Sequence, residues 1–245
     1  MSFNFAAHRG FLIDLDGTLA SGHHLLPGAR QLIEATADRF AIVSNDSEHT
    51  PDQLVRRFRE WRMTIAPERI VLAGVAALEA AAENGSGSRL LLLGSPALRR
   101  MARNMGFELA DQKVDTVIVA RDRQFTYAKL AMAARAVRDG AQVLIAAPDL
   151  SHPGADGYPV PEAGALAAAL FAVTGPVPHR VIGKPRPELF RHACERIGVA
   201  PELCVVIGDN PRTDGAGAIG LGVPFWQVVP GQLPELLRQT VTAVI

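Results

Sequence analysis

The stretch Phe11-Leu12-Ile13-Asp14-Leu15-Asp16-Gly17-Thr18 decides how the chain is read. A short apolar run closed by glycine is the pattern of a buried strand. Carried past the run, the two-residue alternation of a strand puts Asp14 and Asp16 on one side and Leu15 on the other. Two carboxylates that close repel, and one rises in pKa unless a cation sits between them. The stretch is therefore either a strained surface turn or half of a cation site. Asp-Gly is also a plain turn signal, so the remaining sequence has to decide.

Working outward, the same pattern recurs. Phe40-Ala41-Ile42-Val43 is an apolar run that ends in Ser44-Asn45, a hydroxyl and an amide beside free backbone N–H groups suited to an anion. Val181-Ile182-Gly183 reads as a brief strand delivering Lys184. Cys204 to Ile207 is another, ending in Gly208-Asp209-Asn210 with Asp214 soon after. Between these runs lie helical patterns, several opened by proline: Pro51 to Arg62, Pro67 to Glu83, Pro96 to Met105, a Thr126-capped helix to Asp139, Pro161 to Thr174, and Pro187 to Ile197. The alternation predicts an α/β fold with an open parallel sheet. Ala20 to Leu26 reads as a polar loop, with His23 and His24 as loop residues, and Leu233 to Val241 as a tail helix.

Asn84-Gly85-Ser86-Gly87-Ser88 is the most linker-like segment, and Gly175-Pro176-Val177-Pro178-His179 is a second breaker cluster. Residues 87–176 between them alternate strand and helix and are expected to form an inserted α/β unit. Residues 1–86 and 177–245 then make the main domain. The insertion contains a long proline- and glycine-rich stretch, Pro148 to Glu162, which reads as an irregular and functional loop presenting Asp149, His152, Asp156 and Tyr158.

Composition narrows the function. The 245 residues suffice for one large α/β domain or two modest ones, and 48% hydrophobic content supports a substantial core. The formal net charge is zero, which points to neither nucleic acid nor an anionic membrane surface. Only Lys113, Lys129 and Lys184 among the 25 basic residues are lysine. Cys194 and Cys204 lack metal-ligand spacing and read as buried thiols of a reducing compartment. With no signal peptide before Phe11 and no membrane-length apolar run, the expectation is a cytoplasmic, soluble protein, monomeric or a homodimer.

Ligands of open parallel sheets bind beyond the carboxyl ends of the strands. That rule gathers Asp14, Asp16, Ser44, Asn45, Lys184, Asp209 and Asp214 on one rim. Four carboxylates there require a cation, and oxygen ligands beside a phosphate favour Mg²⁺. The set reads as a phosphoryl-transfer site. Asp14 is the nucleophile. Asp16 is the general acid and then the base. Ser44 and the backbone at Asn45 hold phosphate oxygens, and Lys184 offsets the repulsion between nucleophile and phosphate. Asp209, Asp14 and the carbonyl of Asp16 hold the metal, and Asp214 orients Lys184 or a water.

The motifs DLDGT at 14–18, SN at 44–45, GKPRP at 183–187 and GDNPRTD at 208–214 together resemble the haloacid dehalogenase superfamily of phosphatases. The spacing between Asn45 and Lys184 is similar to that of its capped subgroup, the NagD-like, 4-nitrophenylphosphatase-like and pyridoxal phosphate phosphatase-like enzymes. Further similarity lies in Pro27-Gly28-Ala29, Asp122 to Tyr127 and Gly164-Ala165-Leu166. The resemblance implies a Rossmann-like core, an α/β cap, and Mg²⁺-dependent hydrolysis of a small phosphate ester. It also implies that His152 of the cap loop meets the leaving group. The chain departs from the subgroup by Asp46 in place of asparagine and by His49 where arginine is common. A phosphotransferase or mutase on the same core, and a non-catalytic phosphate-binding regulator, are the competing readings.

Overall fold

A computed structural model describes residues 4–83, 89–154 and 156–242. In chain order, β1 (Gly10–Ile13) leads into a small hairpin of β2 (Ala20–Ser21) and β3 (His24–Leu25), then α1 (Ala29–Thr36), β4 (Phe40–Ser44) and α2 (Pro51–Glu60). A 3-10 turn at Pro67–Arg69 precedes β5 (Ile70–Leu72) and α3 (Ala73–Glu83). There follow β6 (Arg89–Leu93), α4 (Pro96–Asn104), β7 (Glu108–Leu109), β8 (Thr116–Val119), α5 (Tyr127–Arg138) and β9 (Gln142–Ile145). A second hairpin, β10 (Ser151–Pro153) and β11 (Pro159–Pro161), leads to α6 (Ala163–Thr174) and β12 (Arg180–Val181). The chain closes with α7 (Pro187–Ile197), β13 (Cys204–Gly208), α8 (Ala216–Leu221), β14 (Phe225–Gln227) and α9 (Leu233–Thr242).

Two compact units result. The first comprises residues 1–44, 51–71 and 184–245; the second comprises 45–50 and 72–183. The first is built on a five-stranded sheet of order β14-β13-β1-β4-β5, in which β1 runs parallel to both β4 and β13. Every residue of β1, β4 and β13 is buried, which accounts for their unbroken apolar character. Helix α7 lies against β1 and β4. The two thiols are buried in this unit, with Sγ atoms 3.6 Å apart and no disulfide.

The second unit has its own five-stranded sheet, ordered β12-β9-β8-β6-β7 and parallel throughout. Leu91, Leu93, Val117, Val119, Val143 and Ile145 from its strands meet Ala133, Ala136 and Leu170 from α5 and α6. The small alanine faces let those two helices touch each other as well as the sheet.

Several expectations need correction. Pro67 to Glu83 is not one helix: β5 interrupts it, because Ile70-Val71-Leu72 joins the first sheet before the helix starts. The boundaries at 86 and 176 move to 71 and 183, because α3 lies against α4, β8 and β9 of the second unit. Eight of its eleven residues are buried, so α3 is a core helix there. The supposed hinge, Asn84 to Ser88, lies outside the described residues. Pro148 to Glu162 is not wholly irregular: His152 pairs with Val160 in the β10–β11 hairpin, whose prolines suit an exposed two-stranded ribbon. Ala20 to Leu26 likewise contains a hairpin. Among the described residues no helix is long and apolar enough to cross a membrane.

Leu12 is fully buried at the centre of the first sheet. Leu12→Ala is expected to cost about 2–5 kcal/mol in urea unfolding, through lost burial and the residual cavity.

Candidate active site

Three adjacent strands, β13, β1 and β4, are parallel, so their carboxyl ends share one edge. Asp14 is the first residue past β1, Ser44 the last of β4, and Asp209 the first past β13. The backbone N–H of Asp14 donates to the Ile207 carbonyl at 2.8 Å, continuing the ladder by one residue. Lys184 arrives differently. The strand before it, β12, belongs to the second sheet, so Lys184 is carried by the loop leading into α7 and not by a strand of the first sheet.

The Lys184 ammonium is buried between two carboxylates. It donates to Asp14 Oδ1 at 2.5 Å and to Asp214 Oδ1 at 2.7 Å. Burial acts to lower the lysine pKa, but Asp14 and Asp214 outweigh it and hold it above the ordinary value. Thr18 Oγ1 donates to Asp14 Oδ2 at 3.2 Å. Burial raises the Asp14 pKa, Lys184 opposes it and Asp214 adds to it, leaving the carboxyl pushed up to about 8. Asp209 is half-buried and also raised, first by burial and then by Asp214. Oxygens of Asp14, Asp209 and Asp214 lie within 4.8 Å of one another. At that separation two full negative charges repel by roughly 3.5 kcal/mol at an effective dielectric of about 20. One ammonium cannot balance three such groups, and an all-oxygen donor set fits a hard divalent cation.

Close approach of the acids depends on two glycines. A Cβ on Gly17, whose φ is +89°, would collide with the Asp209 carboxylate, and one on Gly208 would collide with Asp214.

Asp14 and Asp16 lie close to one another, although no strand carries them. The strand stops at Ile13, and the chain turns so that the N–H groups of Leu19 and Ala20 both donate to the Leu15 carbonyl. Asp14 is buried and Asp16 is exposed. Asp16 nevertheless remains close enough to act on the Asp14 charge, and its Oδ2 accepts from Ser44 Oγ at 3.4 Å. Its carboxylate is not part of the three-acid cluster.

In the second unit, Asn45 turns its side chain to Asp149, donating from Nδ2 to Oδ2 at 2.7 Å. Asp46 Oδ1 accepts from the backbones of Glu48 and His49, and its Oδ2 lies 2.7 Å from His49 Nδ1. The two departures from the subgroup's pattern are thus partners. Burial acts to raise the Asp46 pKa, but these bonds hold it below the ordinary value.

Sequence reasoning singled out His152 and missed its neighbours. Arg121 NH1 lies 3.3 Å from both Glu48 and Glu162, and Glu162 Oε1 lies 2.7 Å from His152 Nδ1. Arg121 follows β8 and was legible only as one more polar strand end. Glu162 was legible only as the end of the proline-rich loop, where the next helix was expected to begin. Burial pushes the Glu162 carboxyl up to about 7 against the pull of Arg121, and burial lowers the His152 pKa.

An acid–ammonium centre on the carboxyl edge of a parallel sheet, with an inserted α/β unit, defines the class: a phosphatase. The chain belongs to the haloacid dehalogenase-like hydrolases, whose family model matches residues 8–222. It is 32% identical over 228 residues to the acid sugar phosphatase of Staphylococcus aureus strain MRSA252, covering 91% of this chain and 87% of that one. The solved 4-nitrophenylphosphatase of Thermotoga maritima superposes with a TM-score of 0.86 at 28% identity, over 96% of this chain and 91% of that one. The glycerol phosphate phosphatase of Mycobacterium tuberculosis, solved in complex with calcium, gives 0.83 at 30% identity, over 92% and 67%. The NagD-like and 4-nitrophenylphosphatase-like subgroup named from the motifs is where these matches fall. The regulator without turnover is set aside.

A raised Glu162 pKa has a definite sign in stability. Between the ordinary value of 4.5 and about 7 the folded state binds more proton than the unfolded one, so this group's contribution to stability falls as pH rises. The lowered His152 pKa acts oppositely below pH 6.5. Glu162→Gln removes the first effect. Its melting temperature relative to wild type is expected to climb between pH 5 and 8, as measured by thermal unfolding across that range.

Proposed function

We propose that this phosphatase hydrolyses a small phosphate ester through an aspartyl-phosphate intermediate, with Mg²⁺ as cofactor. The observation that carries the reading is Asp14, buried and bonded to Lys184, within the three-acid cluster. Asp14 Oδ attacks phosphorus as the bond to the ester oxygen breaks, and Asp16 gives that oxygen its proton. Asp16 then takes a proton from water, whose oxygen attacks the phosphoryl group and frees Asp14 as inorganic phosphate leaves. Lys184 offsets the negative charge gathered on the nucleophile and the phosphate. Ser44 and the backbone at Asn45 hold phosphate oxygens, and Asp214 keeps Lys184 in place. Asp14, Asp209 and the Asp16 carbonyl would hold Mg²⁺, which supplies positive charge to the phosphoryl oxygens when bound.

The first unit is then the catalytic core and the second the substrate-selecting cap. The named activities of the relatives, on sugar, glycerol and 4-nitrophenyl phosphates, favour a hydroxylated phosphorylated metabolite as substrate. His152, partly exposed on β10 and held near Glu162, is assigned to the leaving group. The protein is assigned to the cytoplasm, as a monomer or homodimer.

Asp14→Asn is expected to lower turnover of 4-nitrophenyl phosphate by at least about a thousandfold, with circular dichroism unchanged. Retained turnover would rule out the covalent scheme. His152→Ala should reorder kcat/KM across a panel of sugar and polyol phosphates while altering 4-nitrophenyl phosphate less. An unchanged ranking would remove His152 from substrate choice.

A further inference from the structure

A cavity of about 350 Å³ lies wholly within the second unit, and none of the residues assigned to catalysis lines it. Gly94 and Pro96 line it together with Arg99, Arg100, Arg103, Gln124 and Lys129. Four of these seven residues are cationic and none is acidic. Its volume lies within the range of small-molecule sites.

No acid lines this cavity, and Asp122 of the adjoining one reaches only one of its cations. The adjoining cavity, of about 270 Å³, shares Pro96 and Gln124 but is lined by Glu48 and Asp122 beside a single cation, Arg123. Asp122 neutralises one cation only, accepting from Lys129 Nζ at 2.6 Å while the Gln124 carbonyl accepts at 2.9 Å. That pair fixes the lysine against the turn at 122–126. Arg99 is also held, its NH1 donating to the Leu92 carbonyl at 3.0 Å. A neutral acceptor positions the guanidinium without cancelling its charge. Among the described residues Arg100 and Arg103 have no carboxylate partner and are exposed.

The helix makes this arrangement costly in the absence of an anion. Three arginines stand in the nine residues of α4, with no acid anywhere in it. Arg99 and Arg100 fall within its first five residues, toward the positive end of the helix dipole. Arg99 and Arg103 are four residues apart, where like charges repel across one turn. A bound anion offsets each of these terms, and guanidinium groups match phosphate oxygens bidentately.

We propose that this cavity is a second binding site, for a compact anion carrying two phosphate-type groups. With Lys129 neutralised by Asp122, the three arginines leave more positive charge than the roughly 1.5 to 2 negative charges of one phosphate group would balance.

The test is isothermal titration calorimetry with methylenebisphosphonate, whose P–C–P bridge this enzyme class does not hydrolyse, in buffer free of divalent cations. Wild type and Asp14→Asn should both bind it, more weakly as salt is raised. Arg100→Glu/Arg103→Glu should lose at least tenfold in affinity while hydrolysing 4-nitrophenyl phosphate at the wild-type rate. Should that double variant lose its circular dichroism signal, the milder Arg103→Gln serves as the readout, with a several-fold loss expected. No binding by wild type, or affinity unchanged in the folded arginine variants, overturns the proposal. The catalytic assignment fails or stands separately, on the turnover of Asp14→Asn.

Discussion

A buried ammonium shared by two buried carboxylates sets the terms for the rest of the first unit. Lys184 cannot be solvated by water where it sits, so Asp14 and Asp214 have to be there, and each is placed by a different segment. Removing one partner from such a set typically costs about 3–5 kcal/mol, because the remaining charge is left buried and unmatched. The arrangement nonetheless contains more acid than base. Asp209 makes the excess larger, and its carboxylate occupies space that a side chain on Gly17 would fill. A centre that concentrates negative charge at the cost of its own stability is suited to hold a cation, and through the cation an anionic ester.

The parallel sheet explains why these groups can be placed so closely. Strands β13, β1 and β4 are neighbours in space though distant in sequence, and each continues as a loop at the same edge. Adjacent strands lie about 4.8 Å apart, so residues one step past their ends fall within reach of a single ion. The Pro211–Gly215 turn then brings Asp214 back over Gly208, with the Asn210 N–H donating to Asp214 Oδ2 at 3.3 Å. Geometry that would require a long search by flexible loops is fixed here by the ladder of main-chain hydrogen bonds.

What was legible in the sequence follows the range of the forces involved. The buried strands of the first sheet were legible because both faces are covered, leaving uninterrupted apolar runs that stop abruptly at polar residues. Asp14, Ser44 and Asp209 could be placed at strand ends for that reason. Local rules failed where the deciding contact was distant. Ile70-Val71-Leu72 has no local mark separating it from the apolar helix that follows. The all-apolar face of α3 does not say which sheet will cover it, so the domain boundary was misplaced. The β10–β11 hairpin was hidden by its prolines. The alternation rule placed Asp14 and Asp16 together by extending a strand that in fact ends at Ile13, although the turn still leaves their charges close.

The pairing of Asp46 with His49 shows why a motif departure is better judged in three dimensions. Taken singly, each replaces a residue common in the subgroup, and each alters the charge beside the phosphate motif. Taken together, they form one bonded unit that also caps the start of the segment leading to α2, through the N–H groups of Glu48 and His49. An aspartate accepts those N–H bonds as well as an asparagine would, and it gives the imidazole an acceptor as well. The net charge of zero is misleading in the same way. It averages an acid-rich centre in one unit with an arginine-rich helix in the other, and electrostatic recognition depends on where charge is held rather than on its sum.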